Sequence, residues 1–442
     1  MASKTEAEAR AIVERVLRMS KADGCEVDIN ARTDGNIRFA RNSVSTAGGS
    51  DNVSVSIQSF IGKKSGTTTV NELDDASLEK AVRRSEELAR LSPDDPEQMP
   101  PLGKQEYLPV NGFVQRTADV TPEDRANVAA ACLAPAKAKG CTAAGFLEDN
   151  ASASAFGTSA GCFAYHRQTR GEFTLTVRTD DGLGSGYAAA SFDDFRDLDA
   201  GTLSGIALEK AVASREAKAV EPGKYTVVLE PLAVSGILGF MVSGFDARQA
   251  EEGRSWVSTP GGGTRLGERF FDERVNLFSD PQHAGAAGRA WAGDGQALGR
   301  TDWIKDGKVN ALSCSRYWAQ KTGRQPLPGG SNIIMSGGDA STEELIRGTA
   351  RGILVTRTWY IRSVDPQTLL VTGLTRDGTF YIEDGRIKHA VKNFRFNESP
   401  IIMLNNLDAL GRTERVSGGG RTTMVPAMRV RDFTFSSLSD AV

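Results

Sequence analysis

Histidine is scarce in this sequence, and its scarcity limits the metal and acid–base chemistry available to the chain. Only His166, His283 and His389 occur among 442 residues. No two of them are three or four residues apart, so no helix can present a pair of them to one ion. A zinc site would need ligands from distant segments. Solvated or structural histidines are the better interpretation.

Cysteine pairs and long apolar runs are also lacking. The five cysteines are an odd number without a C-x-x-C pair, which gives a poor disulfide framework and is typical of a reducing compartment. No apolar run approaches the ~20 residues that span a bilayer. The N-terminus has acidic residues where a signal peptide would have an apolar stretch. We therefore expect a cytoplasmic protein without a membrane segment.

The charge balance disfavours nucleic acid as a partner. The net charge is −3, and hydrophobic and charged residues make up 39% and 25% of the chain, as in ordinary globular proteins. Nothing in this total attracts the chain to DNA or to anionic lipid. A chain of 442 residues is too long for one small core, so we expect two domains.

The first half of the chain predicts an α+β domain over residues 1–222. A helix, a strand meander and a second helix follow one another, and this order recurs once, which predicts a loosely repeated structure. Asp74 or Asp75 is expected to cap one helix and Thr121 to begin another, and a turn is expected at 33–36 between two strands. A proline-rich stretch over 93–109 predicts an extended connection.

The second half, residues 223–442, predicts a β-rich domain around one buried helix. Apolar and polar residues alternate over 224–230, which predicts a strand, and Pro231 ends it because proline cannot donate to a neighbouring strand. From Ala233 the apolar residues follow helical spacing. In a zinc peptidase, a helix in this place would carry two histidines and a glutamate facing a cleft. Here those places hold apolar and small residues.

Three features that suggest catalysis are better explained as ordinary structure. Residues 157–161 match the G-x-S-x-G pattern, but a nucleophile elbow needs a helix after the serine, and the alternation that follows predicts a strand. Residues 182–186 lack the spacing and the lysine of a phosphate loop and are typical of a hairpin tip. Cys314 has no histidine near it in sequence, so a buried structural thiol is expected.

Several segments of the second half together resemble the TldD/PmbA family, also called modulators of DNA gyrase. Their order and spacing carry the resemblance, which is strong over about 224–435 and weaker before it. The segments are VVLEP (227–231), DGKV (306–309), LSCSRYWAQKTG (312–323), GILVTRTWY (352–360), TGLTRDGTFYIEDGRI (372–387) and VPAMRVRDF (425–433).

The resemblance implies a two-subunit zinc metallopeptidase, in which the TldD-type chain carries H-E-x-x-x-H on the central helix and a cysteine late in the chain. In this sequence the two histidines and the glutamate correspond to Gly239, Gly244 and Phe240, and the cysteine falls near Gly418. None of these can bind zinc, because ligation requires imidazole, thiolate or carboxylate. The chain is therefore similar to the TldE (PmbA) type, the subunit without its own metal. No catalytic residue and no cofactor are assigned to it.

The resemblance also implies partners. A TldD-like subunit would hold the zinc in a heterodimer, a second copy of this chain could replace it when the chain is alone, and an unfolded peptide would be held by strand addition and degraded or processed. Neither nucleic acid nor membrane is expected. Six residues are candidates for the peptide groove or the interface, and they serve equally well as structural sheet residues: Thr356, Arg357, Tyr360, Thr375, Arg376 and Asp377. An Arg–Asp pair among them could set a hairpin against a partner.

Two other functions stay open at this point. One is a hydrolase that is active on its own, through a site formed by His389, Asp377 and Cys314. The other is a non-enzymatic module that binds a topoisomerase, a toxin–antitoxin partner or DNA, although the acidic balance counts against DNA. The sequence gives neither the substrate nor the identity of the partner.

Overall fold

The computed structural model describes residues 4–418 and 420–439, which form two β-sheets with helices packed on them. The first half contains α1 (Glu6–Met19), β1 (Gly24–Ala40), β2 (Ser43–Ile61), β3 (Lys64–Val70), α2 (Asp75–Leu91), α3 (Gln115–Ala118), α4 (Pro122–Ala138), β4 (Cys141–Thr158), β5 (Phe163–Thr179), β6 (Ser185–Phe192), a 3-10 turn (Phe195–Asp197) and α5 (Ala200–Ala213). This composition confirms the α+β class. No helix within the described ranges is long and apolar enough to cross a membrane.

The second half contains one long helix and most of the shorter elements. In chain order these are β7 (Gly223–Leu229), α6 (Pro231–Val242), α7 (Ala247–Glu251), β8 (Leu277–Ser279), β9 (Thr301–Lys305), β10 (Lys308–Val309), α8 (Arg316–Thr322), β11 (Asn332–Met335), α9 (Thr342–Arg347), β12 (Arg351–Asp365), β13 (Leu370–Glu383), β14 (Arg386–Ala390), β15 (Phe394–Glu398), α10 (Pro400–Asn405), β16 (Leu407–Val416) and β17 (Thr422–Leu438). Strands therefore dominate this half, as its alternating patterns predict.

The first sheet is antiparallel and symmetric about its centre. Its order is β3-β2-β1-β4-β5-β6, so the two strand meanders meet at β1 and β4. α1 and α2 accompany the first meander, and α4 and α5 accompany the second, which confirms the repeat predicted from the sequence. Apolar residues of β1 such as Val27 and Ile29 are buried with α1 and α2. Alternate residues such as Arg32 project from the opposite, polar face, because successive side chains of a strand point to opposite sides.

Side-chain caps begin the predicted helices. The Asp74 carboxylate accepts a hydrogen bond from the Ser77 N–H at 3.0 Å and starts α2. Thr121 and Asp124 form a reciprocal capping box at the start of α4. Each of these contacts satisfies an N–H group that the first turn of a helix leaves unpaired. The sequence signals were therefore sufficient at these positions.

The turn expected at 33–36 is wrong, because β1 continues through it. The chain reverses at Arg41 and Asn42 instead, both of which have positive φ. A Cβ at Gly35 would lie 1.7 Å from a guanidinium nitrogen of Arg125. Glycine is therefore required here because the Arg125 side chain lies close to the backbone. Such a close approach is a common reason for glycine within a strand.

The second sheet closes on itself. Its order is β10-β9-β8-β11-β17-β15-β13-β12-β7, with β14 beside β13 and β16 beside β17. β17 also pairs with β7, so β7, β12, β13, β15 and β17 form a closed ring. The pairs β7–β12 and β11–β17 are parallel, and the other described pairs are antiparallel. The long helix α6 packs against β12 and β17.

The stretch from β7 to α6 connects the second sheet to its central helix. Pro231 occupies the first turn of α6, where its missing N–H breaks no helical hydrogen bond, so the helix begins before the expected Ala233. The inner face of α6 is buried with an aromatic core. This face and the rings near it comprise Val234, Ile237, Leu238, Met241, Phe394, Phe396, Phe433 and Phe435. The buried helix predicted from the sequence is therefore confirmed.

Candidate functional site

A cleft of about 1020 Å³ lies between the polar face of the first sheet and α6. Side chains from β1, β4, β5 and β6 form one wall, and one stripe of α6 forms another. Residues of β12, of the glycine-rich segment before β17 and of the stretch from the end of α6 to β11 also line it. A volume of this size exceeds that of a single amino acid and is comparable with the larger small-molecule sites. Both halves of the chain therefore build one site.

One stripe of α6 faces the cleft. Its members are Leu232, Ser235, Gly236, Gly239, Val242 and Ser243. They recur at spacings of three and four, which places them on one side of the helix. A Cβ built on Gly239 meets no atom within 4 Å. A larger side chain at this position would therefore have room to extend.

The other two positions that the resemblance assigns to metal binding lie off this stripe, and Gly244 follows the end of α6 at Val242. Phe240 packs against the apolar core. Gly244 is buried, and a Cβ there would lie 2.2 Å from the Nε1 atom of Trp256. That indole N–H donates to the Met241 carbonyl at 3.0 Å, which fixes the ring in place. Only Gly239 of the three lies on the cleft, so the three positions do not converge in this fold.

The glycine-rich segment before β17 also lines the cleft and is tied to the first sheet. The Gly418 N–H donates to the Glu172 carboxylate at 3.1 Å, and Arg170 donates to the Gly420 carbonyl at 3.5 Å. Arg170 and Glu172 are themselves paired at 2.6 Å on β5. Gly419 lies outside the described residues. Gly418 has a positive φ of 98°, and no atom lies within 4 Å of a Cβ built there.

The donor set of this cleft does not fit zinc. Its described lining contains no histidine and no cysteine, whereas zinc sites in proteins use imidazole, thiolate and carboxylate. Its described carboxylates are Glu148, Glu172 and Asp246. Glu172 is paired with Arg170, and Asp246 caps α7 by accepting from the Gln249 N–H at 2.8 Å. Within residues 4–418 and 420–439, no group of three His, Cys, Asp or Glu side chains could hold a metal ion. These residues support no metal-dependent step.

Three of the six candidate residues lie where a ligand or a partner could reach them. Arg357 lines the cleft, and its guanidinium lies 3.9 Å from the centre of the Tyr187 ring and 5.1 Å from that of Trp359. Arg376 also lies 5.1 Å from the Trp359 ring, and burial lowers its pKa. Tyr360 is 63% exposed and has a positive φ of 52°, at an irregularity in the pairing of β12 with β13. Their roles stay predictions.

The other three candidates are buried, which corrects the expectation of an exposed groove or interface at these positions. Thr356, Thr375 and Asp377 are no more than 2% exposed. The Asp377 carboxylate accepts hydrogen bonds from Arg357 at 2.6 Å and from the Ser185 hydroxyl of β6. The Arg–Asp pair therefore exists within the second sheet, and the Ser185 hydroxyl connects its Asp377 to the first sheet.

The sequence reasoning missed Trp359 as a candidate. Its side chain is 44% exposed and lines the cleft, and the neighbouring Tyr360 and Val364 are also exposed. We call the two aromatic residues, Trp359 and Tyr360, the aromatic edge of the β12–β13 hairpin. A signal was present: adjacent aromatic residues in a strand point to opposite faces, so a strand with one buried face exposes at least one of them.

The self-sufficient hydrolase site is not formed. Cys314 is buried, and burial raises the pKa of its thiol. The His389 Nδ1 lies 2.9 Å from the Ala390 carbonyl, and its ring stacks on Tyr381. Asp377 binds Arg357 and Ser185, as described above. No hydrogen bond joins any two of Cys314, His389 and Asp377 in the described structure.

The G-x-S-x-G stretch is a turn, as expected. It lies between β4 and β5, and the Ser159 hydroxyl accepts a hydrogen bond from the Cys25 N–H at 3.0 Å. A strand and not a helix follows the serine, so the geometry of a nucleophile elbow is absent from this turn. The segment 182–186 likewise lies at and just after the turn from β5 to β6.

Comparison with known proteins gives one family along the chain. The PmbA/TldA metallopeptidase domain 1 matches residues 25–89, the central domain of that family matches 116–215, and its C-terminal domain matches 222–437. A protein described as a metalloprotease from Methanothermobacter thermautotrophicus is 26% identical over 301 residues. That alignment covers 61% of this chain and 62% of the relative, so it spans less than two thirds of the relative's length.

Solved structures share the fold over almost the whole chain. TldE from Thermococcus kodakarensis has a TM-score of 0.86 at 16% identity and covers 97% of this chain and 99% of its own. A proposed modulator of DNA gyrase from Thermotoga maritima gives 0.85 at 16% identity, covering 97% and 100%. Another from Bacteroides thetaiotaomicron gives 0.84 at 20% identity, covering 97% and 98%. Because the three family domains together match most of its length, this chain belongs to the PmbA/TldD family of metallopeptidase-like proteins.

Proposed function

We propose that this chain is the metal-free subunit, of the TldE type, in a two-chain peptidase that degrades or processes unfolded peptides and small proteins. One observation carries the proposal: in a metallopeptidase family, the helix at the cleft presents only glycine, serine and aliphatic side chains. Such side chains neither ligate zinc nor activate water. Hydrolysis would therefore depend on zinc held by a partner chain, and this chain would contribute the walls of the peptide site.

The chemistry of the cleft supports binding of an extended peptide. Arg32, Arg170 and Arg357 lie on its walls with Glu148 and Glu172, so charges of both signs are available to polar side chains. Trp359 of the aromatic edge supplies apolar contact at the same site. A mixed lining of this kind tolerates many peptide sequences, because no single pocket dominates the contacts.

An open strand edge supports binding by strand addition. β3 pairs with β2 only from Val55 to Ile61, and Ser43 to Asn52 are exposed with no strand of the described chain on that side. Asn52 pairs with Arg32, which lines the cleft. The free edge therefore leads to the site. Backbone hydrogen bonds along such an edge would hold an extended peptide largely independently of its side chains.

We also propose that the complex works in a reducing compartment such as the cytoplasm. The five cysteines are free and buried in the structure, so the fold uses them as small apolar side chains and not as cross-links. The peptides that reach the cleft would then be those that are unfolded inside the cell.

Co-purification is the experiment that tests the proposed function. The chain would be co-expressed with a family member that carries H-E-x-x-x-H, and the complex would be assayed for zinc and for cleavage of a labelled unfolded peptide. We expect co-elution, about one zinc per pair and cleavage only by the pair, as for metal-assisted hydrolysis from a single site. Loss of zinc should follow replacement of the partner's histidines. Failure of the two chains to associate, or cleavage by this chain alone, would reject the proposal.

A further inference from the structure

The wall that the first sheet gives to the central cleft carries a carboxylate without a partner. Glu148 lies on β4, is half-buried and lines the cleft. Its neighbours Leu147 and Asp149 are buried on the other face, where Asp149 is paired with Arg125 of α4 at 2.6 Å. Successive side chains of a strand point to opposite faces, so Glu148 points to the cleft. Its carboxylate makes no hydrogen bond and no ion pair with any residue that the structure describes.

A second carboxylate lies beside it on the next strand. Glu148 is directly opposite Glu172 in the register of β4 with β5, and the Cβ atoms of residues in such positions are only about 5 Å apart. Arg170 donates to Glu172 from two nitrogens, at 3.1 and 2.6 Å, and both reach the same oxygen atom. Arg170 therefore balances one of the two negative charges. Because like charges directly opposite each other destabilise a sheet, a cation bound here would be stabilising.

A buried amide on the same wall points to a ligand independently of the charges. Asn150 is two residues after Glu148, on the same face of β4, and it lines the cleft although it is only 9% exposed. Its side chain has no hydrogen-bond partner among the described residues, and its amide atoms are not closed to solvent. Buried polar groups almost always have partners in folded proteins. An open, unpaired amide beside an unpaired carboxylate therefore favours a polar ligand that donates hydrogen bonds.

The arginines near this wall do not neutralise the unpaired carboxylate. Arg32 is paired with Asp34 of its own strand. Arg38 lies over the Phe146 ring, 5.2 Å from its centre, and does not line the cleft. Arg421 lines the cleft but is exposed, and it makes no ion pair within the part of the chain that the structure describes. One negative charge therefore stays available to a ligand.

We propose that Glu148, Asn150 and Glu172 form a subsite for one ammonium group of the peptide in the central cleft. An ammonium group has three N–H donors, and the two carboxylates and the Oδ1 of Asn150 are acceptors. A carboxylate has about four acceptor sites, so Glu172 can still accept although Arg170 and the Gly418 N–H already donate to it. Two sources share this chemistry: the N-terminal ammonium of a peptide and a lysine side chain. The subsite rests on the proposed function, because it requires a peptide in the cleft.

Fluorescence anisotropy with the full chain tests this subsite. The probes share one unstructured, uncharged sequence with the same label and a C-terminal amide. One form is N-acetylated, one has a free N-terminus, and one is N-acetylated with a central glutamine replaced by lysine. We expect at least one cationic form to bind about tenfold more tightly than the neutral form, because a charge-assisted hydrogen bond is gained.

The pattern of affinities identifies the source of the ammonium group. A gain only for the free N-terminus would identify the end of a peptide as the ligand, and a gain only for lysine would identify a side chain. Equal gains would show that the subsite accepts either. Equal binding of all three forms would overturn the subsite and leave the peptide cleft intact. Binding of none of them at millimolar chain would reject both the subsite and the peptide cleft.

Variants locate the gain at this wall. Glu148→Gln should abolish the preference for the cationic form, and Asn150→Ser should reduce it by a smaller factor, because a neutral acceptor is lost. Glu209→Gln removes the same charge from an exposed position of α5 outside the cleft, so it is the matched control and should keep the full preference. Thermal melting reports whether each variant is folded. A folded Glu148→Gln variant with the full preference would contradict the assignment.

Discussion

At the scale of single residues, two glycines of the central segment have opposite surroundings although they are five positions apart. Gly239 faces the open cleft, whereas Gly244 is covered by the indole of Trp256. Spacing along a helix cannot reveal this difference, because it depends on a residue from the loop after α7. The resemblance assigns both glycines to metal-ligand positions, but their different placement in the fold could not be read from the sequence.

Substitution of each glycine by alanine tests this difference. Gly244→Ala should lower the free energy of unfolding by about 1–3 kcal/mol, since the added methyl group must displace a buried, hydrogen-bonded ring. Gly239→Ala should leave it unchanged or raise it by up to ~1 kcal/mol, because alanine is the better helix former. Urea unfolding measures both. Equal stability of the two variants would show that Trp256 does not cover Gly244.

Glu26 on the polar face of β1 should make stability depend on pH. Burial raises its pKa to about 7, against an opposing effect of Arg316. The folded protein therefore holds this proton more tightly than the unfolded chain does. Stability from this group is complete below the unfolded pKa of about 4.5 and is lost as the pH rises through about 7.

Glu26→Gln removes the loss of stability that ionisation of Glu26 causes at high pH. We expect it to raise the free energy of unfolding by about 1–3 kcal/mol at pH 8 and much less at pH 5. Urea unfolding at the two pH values measures this, with the exposed Glu87→Gln as control. The same gain at both pH values would show that the carboxyl does not titrate in this range.

At the scale of elements, the β12–β13 hairpin connects the site to the fold. Its buried end carries Asp377, which binds Arg357 and the Ser185 hydroxyl of the first sheet. Its exposed end carries the aromatic edge, of which Trp359 lines the cleft. One hairpin therefore holds the two sheets together and also presents side chains to a ligand.

Asp377→Asn should destabilise the fold. Asparagine tolerates the positive φ of 54° at this position, but it leaves the Arg357 charge without a carboxylate, which costs on the order of 3 kcal/mol. Asp384→Asn is the matched control, because Asp384 has a φ of 51° in an exposed turn. Thermal and urea unfolding would show the loss. A variant as stable as the control would contradict a structural role for the pair.

Trp359→Ala tests the aromatic edge as a contact for peptide. We expect the affinity for a labelled unfolded peptide to fall by about tenfold, as for an aromatic side chain at the centre of a binding surface. Stability should change by less than ~0.5 kcal/mol, as at exposed sites. Fluorescence anisotropy measures the affinity. Ile387→Ala, which removes an exposed aliphatic side chain of β14 outside the cleft, is the control. The same affinity in both variants would contradict the assignment.

At the scale of the whole molecule, the fold class, the repeat and the central helix were predictable because they follow from local periodicity and caps. Asp74 and Thr121 cap their helices as expected, and the apolar spacing after Pro231 gives the buried helix. The cleft was not predictable, because its walls come from both sheets. The burial of Asp377 depends on Ser185, which is 192 positions away in the chain. The domain boundary at 222/223 stays a prediction.

We propose above that this chain carries no catalytic metal and that hydrolysis depends on zinc held by a partner chain. Metal analysis of the chain purified alone, after incubation with zinc and removal of the excess, tests it most directly when combined with an assay for cleavage of an unfolded peptide. We expect far less than one zinc per chain and no cleavage, because the lining of the cleft contains no histidine or cysteine among the residues that the structure describes. About one tightly bound zinc per chain, with cleavage that a chelator abolishes, would contradict it.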